Sequence, residues 1–306
     1  MADTAPLVIV GTGLAGYNLA KEFRKLDNQR PMLLVSADDG RFYSKPLLST
    51  GFAKGKEADE LAMQDANAMA AQLGAEVLTG VSVSAIDPAA RTLTLGDRQQ
   101  AYSDLVLALG AEVRALPWRE QLGERLLSIN DLADYGLFRA ALTGRKKVLI
   151  IGAGLIGCEF ANDLSLGGFE VTVVATDPWV MPQLLPEPVA AALQRRLEAL
   201  GVTFHLGCGI RELAASENAL LALLDDGSEV HADQGLSAIG LAPRTDLAAA
   251  AGLSVGRGVR VDAQLRSSDP HIYALGDCAE VAGLNLMYVM PLMTSARALA
   301  KTLAGK

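Results

Sequence analysis

Two stretches of the chain share one pattern of apolar and polar positions. Leu7, Val8, Ile9 and Val10 form an unbroken apolar run that leads into Gly11, Gly13 and Gly16, and residues 148–151 lead in the same way into Gly152, Gly154 and Gly157. A short apolar run without alternation suits a strand covered on both faces, as in a parallel sheet. Behind each glycine turn the spacing predicts a helix, over 15–26 and 155–166, and then a second strand over 32–35 and 171–174. The copies lie 141 residues apart, too far for a solenoid and suited to two related domains.

Each copy also closes alike. A strand-like segment at 91–95, a Gly96-Asp97 turn and a last strand over 105–110 are echoed by 220–224, an Asp226-Gly227 turn and 236–240. These are hairpin signals. The last strands end in the same Ala-x-Gly, at Gly110 and at Gly240. Residues 259–304 have no counterpart in the second copy, so this segment is expected to return to the first domain. That makes the first domain discontinuous, 1–113 plus 243–306, with 114–242 inserted. The fold class is therefore expected to be α/β, with two Rossmann-like dinucleotide-binding domains.

Composition narrows the function. At 306 residues the chain has material for about two domains, given roughly 100–200 residues per domain. It carries 27 Lys and Arg against 35 Asp and Glu, a formal charge of −8, which argues against a duplex nucleic-acid binder. The three cysteines, Cys158, Cys208 and Cys278, are odd in number and widely spaced, which suits neither a disulfide framework nor a metal or iron-sulfur site. Apolar runs are short, and Asp3 stands where a signal peptide would carry positive charge, so a cytoplasmic protein with no membrane contact is expected.

The glycine turns suggest the chemistry. A dinucleotide pyrophosphate needs close backbone approach and the free N–H groups of a helix N-terminus, which a side chain at the turn would obstruct. The candidates are Gly11, Thr12, Gly13, Leu14, Ala15 and Gly16 in the first copy, and Gly152, Gly154, Leu155, Ile156 and Gly157 in the second. An acidic residue usually ends the second strand to meet the ribose. Here Ser36 and Ala175 hold that place, and Asp38 and Asp177 follow two residues later, which makes Ser36 and Asp38 the ribose candidates of the first domain.

Five ordered motifs carry a family resemblance across nearly the whole chain. They are the first turn, the segment Tyr43-Ser44-Lys45-Pro46-Leu47-Leu48-Ser49, the second turn with Cys158-Glu159, Ile239-Gly240-Leu241-Ala242-Pro243-Arg244, and Ile272-Tyr273-Ala274-Leu275-Gly276-Asp277-Cys278-Ala279. Together they resemble the FAD- and NAD-dependent pyridine nucleotide oxidoreductases, most of all the branch of rubredoxin-NAD reductases from alkane-oxidising bacteria. The resemblance implies two domains of the glutathione-reductase-like type in three ββα layers, with the NAD domain inserted in the FAD domain. It implies tightly bound, non-covalent FAD, NADH as donor, and rubredoxin or a similar one-electron iron-cysteine protein as acceptor, serving alkane degradation. It further implies that Lys45 and Glu159 pair beside the flavin as the catalytic charges and that Asp277, after Gly276, bonds the ribityl chain. The helix opening at Pro291, with Thr294 or Ser295 as its cap, is expected to aim its positive end at the ring. The family normally continues with a small domain beyond the position of Lys306.

Other residues read as structural. His205, His231 and His271 fall in or beside strand-like runs with no useful mutual spacing. No cysteine precedes Cys158, so the close dithiol of a disulfide reductase is missing from the first domain. Met287, Met290 and Met293 suit packing against the flavin or the core. Two alternatives remain: a flavin-dependent NADH oxidase or peroxidase, whose usual redox cysteine is lacking between Ser44 and Ser49, and a flavin-bound signalling protein, whose basic segments are lacking.

Overall fold

A computed structural model describes residues 5–216 and 219–306; Asp3 lies outside them. The chain separates into two compact units. The first comprises 5–43, Ala62–Glu112 and Ala242–Lys306, and the second Ser44–Leu61 and Val113–Leu241.

In the first unit a five-stranded parallel sheet runs in the order Ile272–Ala274, Asp104–Leu107, Leu7–Val10, Met32–Val35, Glu76–Leu78. Leu7–Val10 is central and buried at every position, as its unalternating sequence requires. Helices Leu14–Arg24 and Val289–Leu303 pack against one another. Their Leu19, Phe23 and Leu299 share one apolar core with the sheet and with Ile86, Leu93 and Leu95 of an antiparallel meander, Val83–Asp87, Thr92–Leu95 and Arg98–Ala101. The sheet thus lies between a helical and a β layer.

The second unit repeats this plan. Its parallel sheet runs Leu126–Leu127, Gln234–Ser237, Lys147–Ile151, Glu170–Ala175, Thr203–Leu206. Its meander is Ile210–Ala215, Leu220–Leu224, Glu229–Ala232. Both units are of the glutathione-reductase-like type. Gly96 and Gly227 make the hairpin turns with φ of 59° and 86°. Arg91, expected to open the strand over 91–95, has φ 52° and stands outside it. The last helix also differs from expectation. It begins after Tyr288 with no side-chain cap, and Thr294 and Ser295 lie in its interior. Pro291 has no N–H to donate and a fixed φ, so it belongs in the first turn, which sets the helix start upstream of both hydroxyls.

Residues Ser44–Leu61 fall in the second unit, whereas the division at 113 and 243 assigns them to the first domain. Local contacts hold them there. Asp163, buried on helix Leu155–Leu166, accepts N–H bonds from Phe52 and Ala53, each at 2.9 Å. The Phe52 ring meets Tyr135, Phe138 and Phe169 at centroid distances of 5.0, 5.9 and 6.1 Å, and Tyr135 donates its hydroxyl to the Lys56 carbonyl at 2.7 Å. Gly51 lies so close to the Tyr135 hydroxyl that a side chain has no room there.

Burial pushes the Asp163 carboxyl above its ordinary value of 3.8, opposed by these backbone hydrogen bonds. Removing the carboxyl leaves two N–H groups without an acceptor, so Asp163→Ala is expected to lower the unfolding free energy by about 2–4 kcal/mol in denaturant titrations. A raised folded pKa makes the stabilisation from this group complete below pH 3.8 and lost as pH rises through the folded value. Asp163→Asn does not titrate, so its stability relative to the natural protein should increase across that window; a constant difference from low to neutral pH contradicts the assignment.

Candidate functional site

The two glycine turns are built alike. Gly11 and Gly152 each have φ 111°, a value that disfavours any side chain, and a Cβ at either would run into the carbonyl oxygen of Ala108 or Ala238 respectively. A Cβ on Gly16 or Gly157 would strike the carbonyl oxygen of Gly11 or Gly152. These four glycines are required by the fold itself. The middle pair differs: a Cβ at Gly13 or Gly154 meets nothing within 4 Å. Both are N-cap residues, of helices Leu14–Arg24 and Leu155–Leu166, and neither helix start has a side-chain cap. Each turn therefore presents helix-start N–H groups that no side chain caps, with the positive end of a helix behind them and clear space beside the middle glycine, which fits a dinucleotide pyrophosphate. Leu14 and Leu155 are half-buried at these openings, Ala15 is buried and Ile156 is exposed.

Beside the first turn, Thr12, Ser36 and Asp38 form one polar group. The Thr12 hydroxyl donates to Ser36 Oγ at 2.6 Å, the Ser36 hydroxyl to Asp38 Oδ1 at 2.5 Å, and the Gly40 N–H to the same oxygen at 2.8 Å. The carboxylate two residues beyond Ser36 is thereby held next to that serine, just past the strand end. Gly276 reaches the same opening: a Cβ on it would be 2.9 Å from Ala15 Cβ and 3.6 Å from Leu292 Cδ1. Asp277 thus stands beside the start of helix Leu14–Arg24, near the first turn of the helix that contains Pro291. Asn285 Nδ2 fixes this corner by donating to the Asp277 and Ala279 carbonyls, each at 2.8 Å. Gly110 accepts from the Arg244 N–H at 3.1 Å, and Gly240 from the Arg114 N–H at 3.0 Å. Arg114, absent from the sequence reading, was detectable there, since Gly110 and Arg114 repeat the spacing of Gly240 and Arg244.

In the second unit Lys45 and Glu159 each meet a neutral side chain. Lys45 Nζ donates to Asn130 Oδ1 at 2.8 Å, while Ser49 donates its hydroxyl to Glu159 Oε2 at 2.8 Å. A neutral acceptor reaches the ammonium and a neutral donor reaches the carboxylate. Glu159 and Asp163 are four residues apart on one helix and so share a face. Both grip the Ser44–Leu61 segment.

All three cysteines are free thiols. Burial pushes Cys158 and Cys278 up to about 11, which leaves little thiolate near neutral pH. His231 is exposed on a strand near Glu229, and His271 lies 3.5 Å from Asp104, both at sheet edges. Among the described residues no group of three or more His, Cys, Asp or Glu could hold a metal ion, and no helix is long and apolar enough to cross a membrane.

Known proteins agree with this arrangement. Residues 5–300 match the family described as pyridine nucleotide-disulphide oxidoreductase. The chain is 54% identical over 302 residues to a rubredoxin-NAD(+) reductase of Alcanivorax borkumensis, covering 98% of this chain and 79% of that protein. It is 42% identical over 309 residues to a rubredoxin-NAD(+) reductase of Acinetobacter baylyi, with coverage of 98% and 79%. The crystal structure of a covalent putidaredoxin reductase-putidaredoxin complex superposes with a TM-score of 0.90 at 29% identity, over 99% of this chain and 76% of that one. The chain belongs to the pyridine nucleotide-disulphide oxidoreductase family and is an oxidoreductase.

Because the Gly13 Cβ position touches no protein atom, Gly13→Val is expected to fold normally yet purify without flavin, the valine filling the approach to the helix start. The ratio of flavin to protein absorbance and the far-ultraviolet circular dichroism together check this; full flavin content contradicts it.

Proposed function

We propose that the protein carries electrons from NADH, through non-covalently bound FAD, to rubredoxin or a similar one-electron iron-cysteine carrier, and that alkane hydroxylation consumes them. The observation that carries this reading is the pair of strand–glycine–helix turns, each uncapped and open at its middle glycine. Two such turns call for two dinucleotides. The identity of 54% to a rubredoxin-NAD(+) reductase supports the choice of acceptor.

Bound FAD supplies the conversion of a two-electron hydride into electrons delivered singly. The chain binds, orients and tunes. Gly11 to Gly16 and the start of helix Leu14–Arg24 receive the flavin pyrophosphate, and Gly152 to Gly157 with helix Leu155–Leu166 receive that of NADH. Ser36 and Asp38 are assigned to the ribose and Asp277 to the ribityl chain, with the helix around Pro291 supplying a positive end to the ring. Lys45 and Glu159 are the charges assigned to the reaction. An ammonium near an electron-accepting ring favours its reduced form, and a carboxylate opposes that.

The donor follows from charge. Residues 175–183 contain no Lys or Arg to pair with a 2′-phosphate, and Asp177 repels one. NADH is therefore expected to exceed NADPH in kcat/KM by at least about tenfold, a difference of roughly 1.4 kcal/mol. The deciding experiment offers the purified yellow protein NADH together with rubredoxin, ferredoxin, thioredoxin or oxygen. Rapid reduction of rubredoxin is expected. Turnover with oxygen or thioredoxin alone moves the function to an oxidase or a thiol reductase, and equal use of NADPH overturns the donor assignment.

A further inference from the structure

We propose that Asn130 is a positioning residue for Lys45, fixing the direction of its ammonium group. The inference rests on the assignment of Lys45 to the flavin reaction made above. Lys45 opens the short 3-10 helix Lys45–Thr50, just before Pro46. Its stem carries about 2 kcal/mol of rotamer entropy, so a charge that must hold one place needs an acceptor at its tip. Asn130 Oδ1 accepts from Lys45 Nζ at 2.8 Å, across 85 residues of sequence.

Asn130 is itself braced. It precedes Asp131, the N-cap of helix Leu132–Ala141, whose side chain accepts the Asp134 N–H at 2.8 Å. Asp134 returns the bond, accepting the Asn130 N–H through Oδ2 at 2.9 Å. The reciprocal pair resembles a capping box displaced by one residue, and it fixes the backbone from which the Asn130 amide projects. The backbone bonds from Asn130 and Asp131 favour the ionised Asp134 carboxyl, although burial outweighs them and raises its pKa.

The residue type matters as much as its place. An amide oxygen orients an ammonium, adds no negative charge of its own and does not titrate. The bond from Ser49 to Glu159 works in the same sense on the opposite charge. Each of the two charges thus has a neutral side chain at hydrogen-bond distance.

The test uses flavin-loaded protein and four forms: natural, Asn130→Leu, Lys45→Met and the double variant. Each is read for flavin midpoint potential, NADH dissociation constant and single-turnover hydride transfer at saturating NADH. A hydrogen bond to a charged group is worth about 1.5–3 kcal/mol, so Asn130→Leu is expected to slow hydride transfer by roughly tenfold or more. It should also shift the midpoint, with flavin content and NADH binding unchanged. In the Lys45→Met background the same change should add nothing, since its effect passes through Lys45. If Asn130→Leu does not fold, Asn130→Ser takes its place; its hydroxyl suits the helix start and is too short to reach Lys45. Equal slowing by the position-130 change in both backgrounds overturns the proposal, as does a natural rate and midpoint in the single variant. Lys45→Met with natural rate and midpoint refutes the Lys45 assignment itself, and the role of Asn130 with it; that outcome is told apart by Lys45→Met alone.

Discussion

The carbonyl oxygens of Gly11 and Gly152 leave no space for a side chain on the residue five places later. A helix can follow the first strand this closely only when glycine stands at Gly16 and at Gly157, and that closeness brings the helix start to the end of the sheet. The rest of each unit is arranged around it. The strands lie parallel because each must return to the same edge, the meander covers the second face, and the closing strand ends in the Ala-x-Gly carbonyl on which the turn rests. An ordinary packing contact between glycines thus determines where an uncapped helix end can meet an anion.

Much of this was legible in the sequence because it is local and repeated. The helix over 155–166 has the bounds expected of it. The first strands and the hairpin turns at Gly96 and Gly227 also lie where hydropathy and glycine place them. What escaped was non-local. Nothing in residues 44–61 announces that they belong with the second unit, because their hold depends on Asp163, which in sequence is one polar position on an amphipathic helix. Asn130 was invisible for the same reason: an asparagine before an N-cap aspartate reads as turn chemistry, and its partner lies 85 residues away.

The residues of the site fall into three kinds. Gly11, Gly16, Gly152 and Gly157 are demanded by packing, so their presence reports the fold. Gly13 and Gly154 are not demanded by any protein atom, so they report what the fold is for. Lys45, Glu159, Ser49 and Asn130 belong to a third group in which charged and neutral side chains alternate as partners. The cluster of Thr12, Ser36 and Asp38 shows how a serine at the strand end can be compatible with a carboxylate in the same corner.

The order in which the pieces leave the ribosome follows from the placement of one edge strand. Ile272–Ala274 completes the first sheet beside Asp104–Leu107, so that sheet lacks an edge until residue 274 has been made. The second unit has all its parts, including Ser44–Leu61, once Leu241 has emerged. Synthesis therefore supplies the inserted unit whole before the unit that encloses it in sequence, and the early strands of the first wait with an open edge. The clasp of Asp163 on Phe52, made across 111 residues, is available to the nascent chain before the first unit can close.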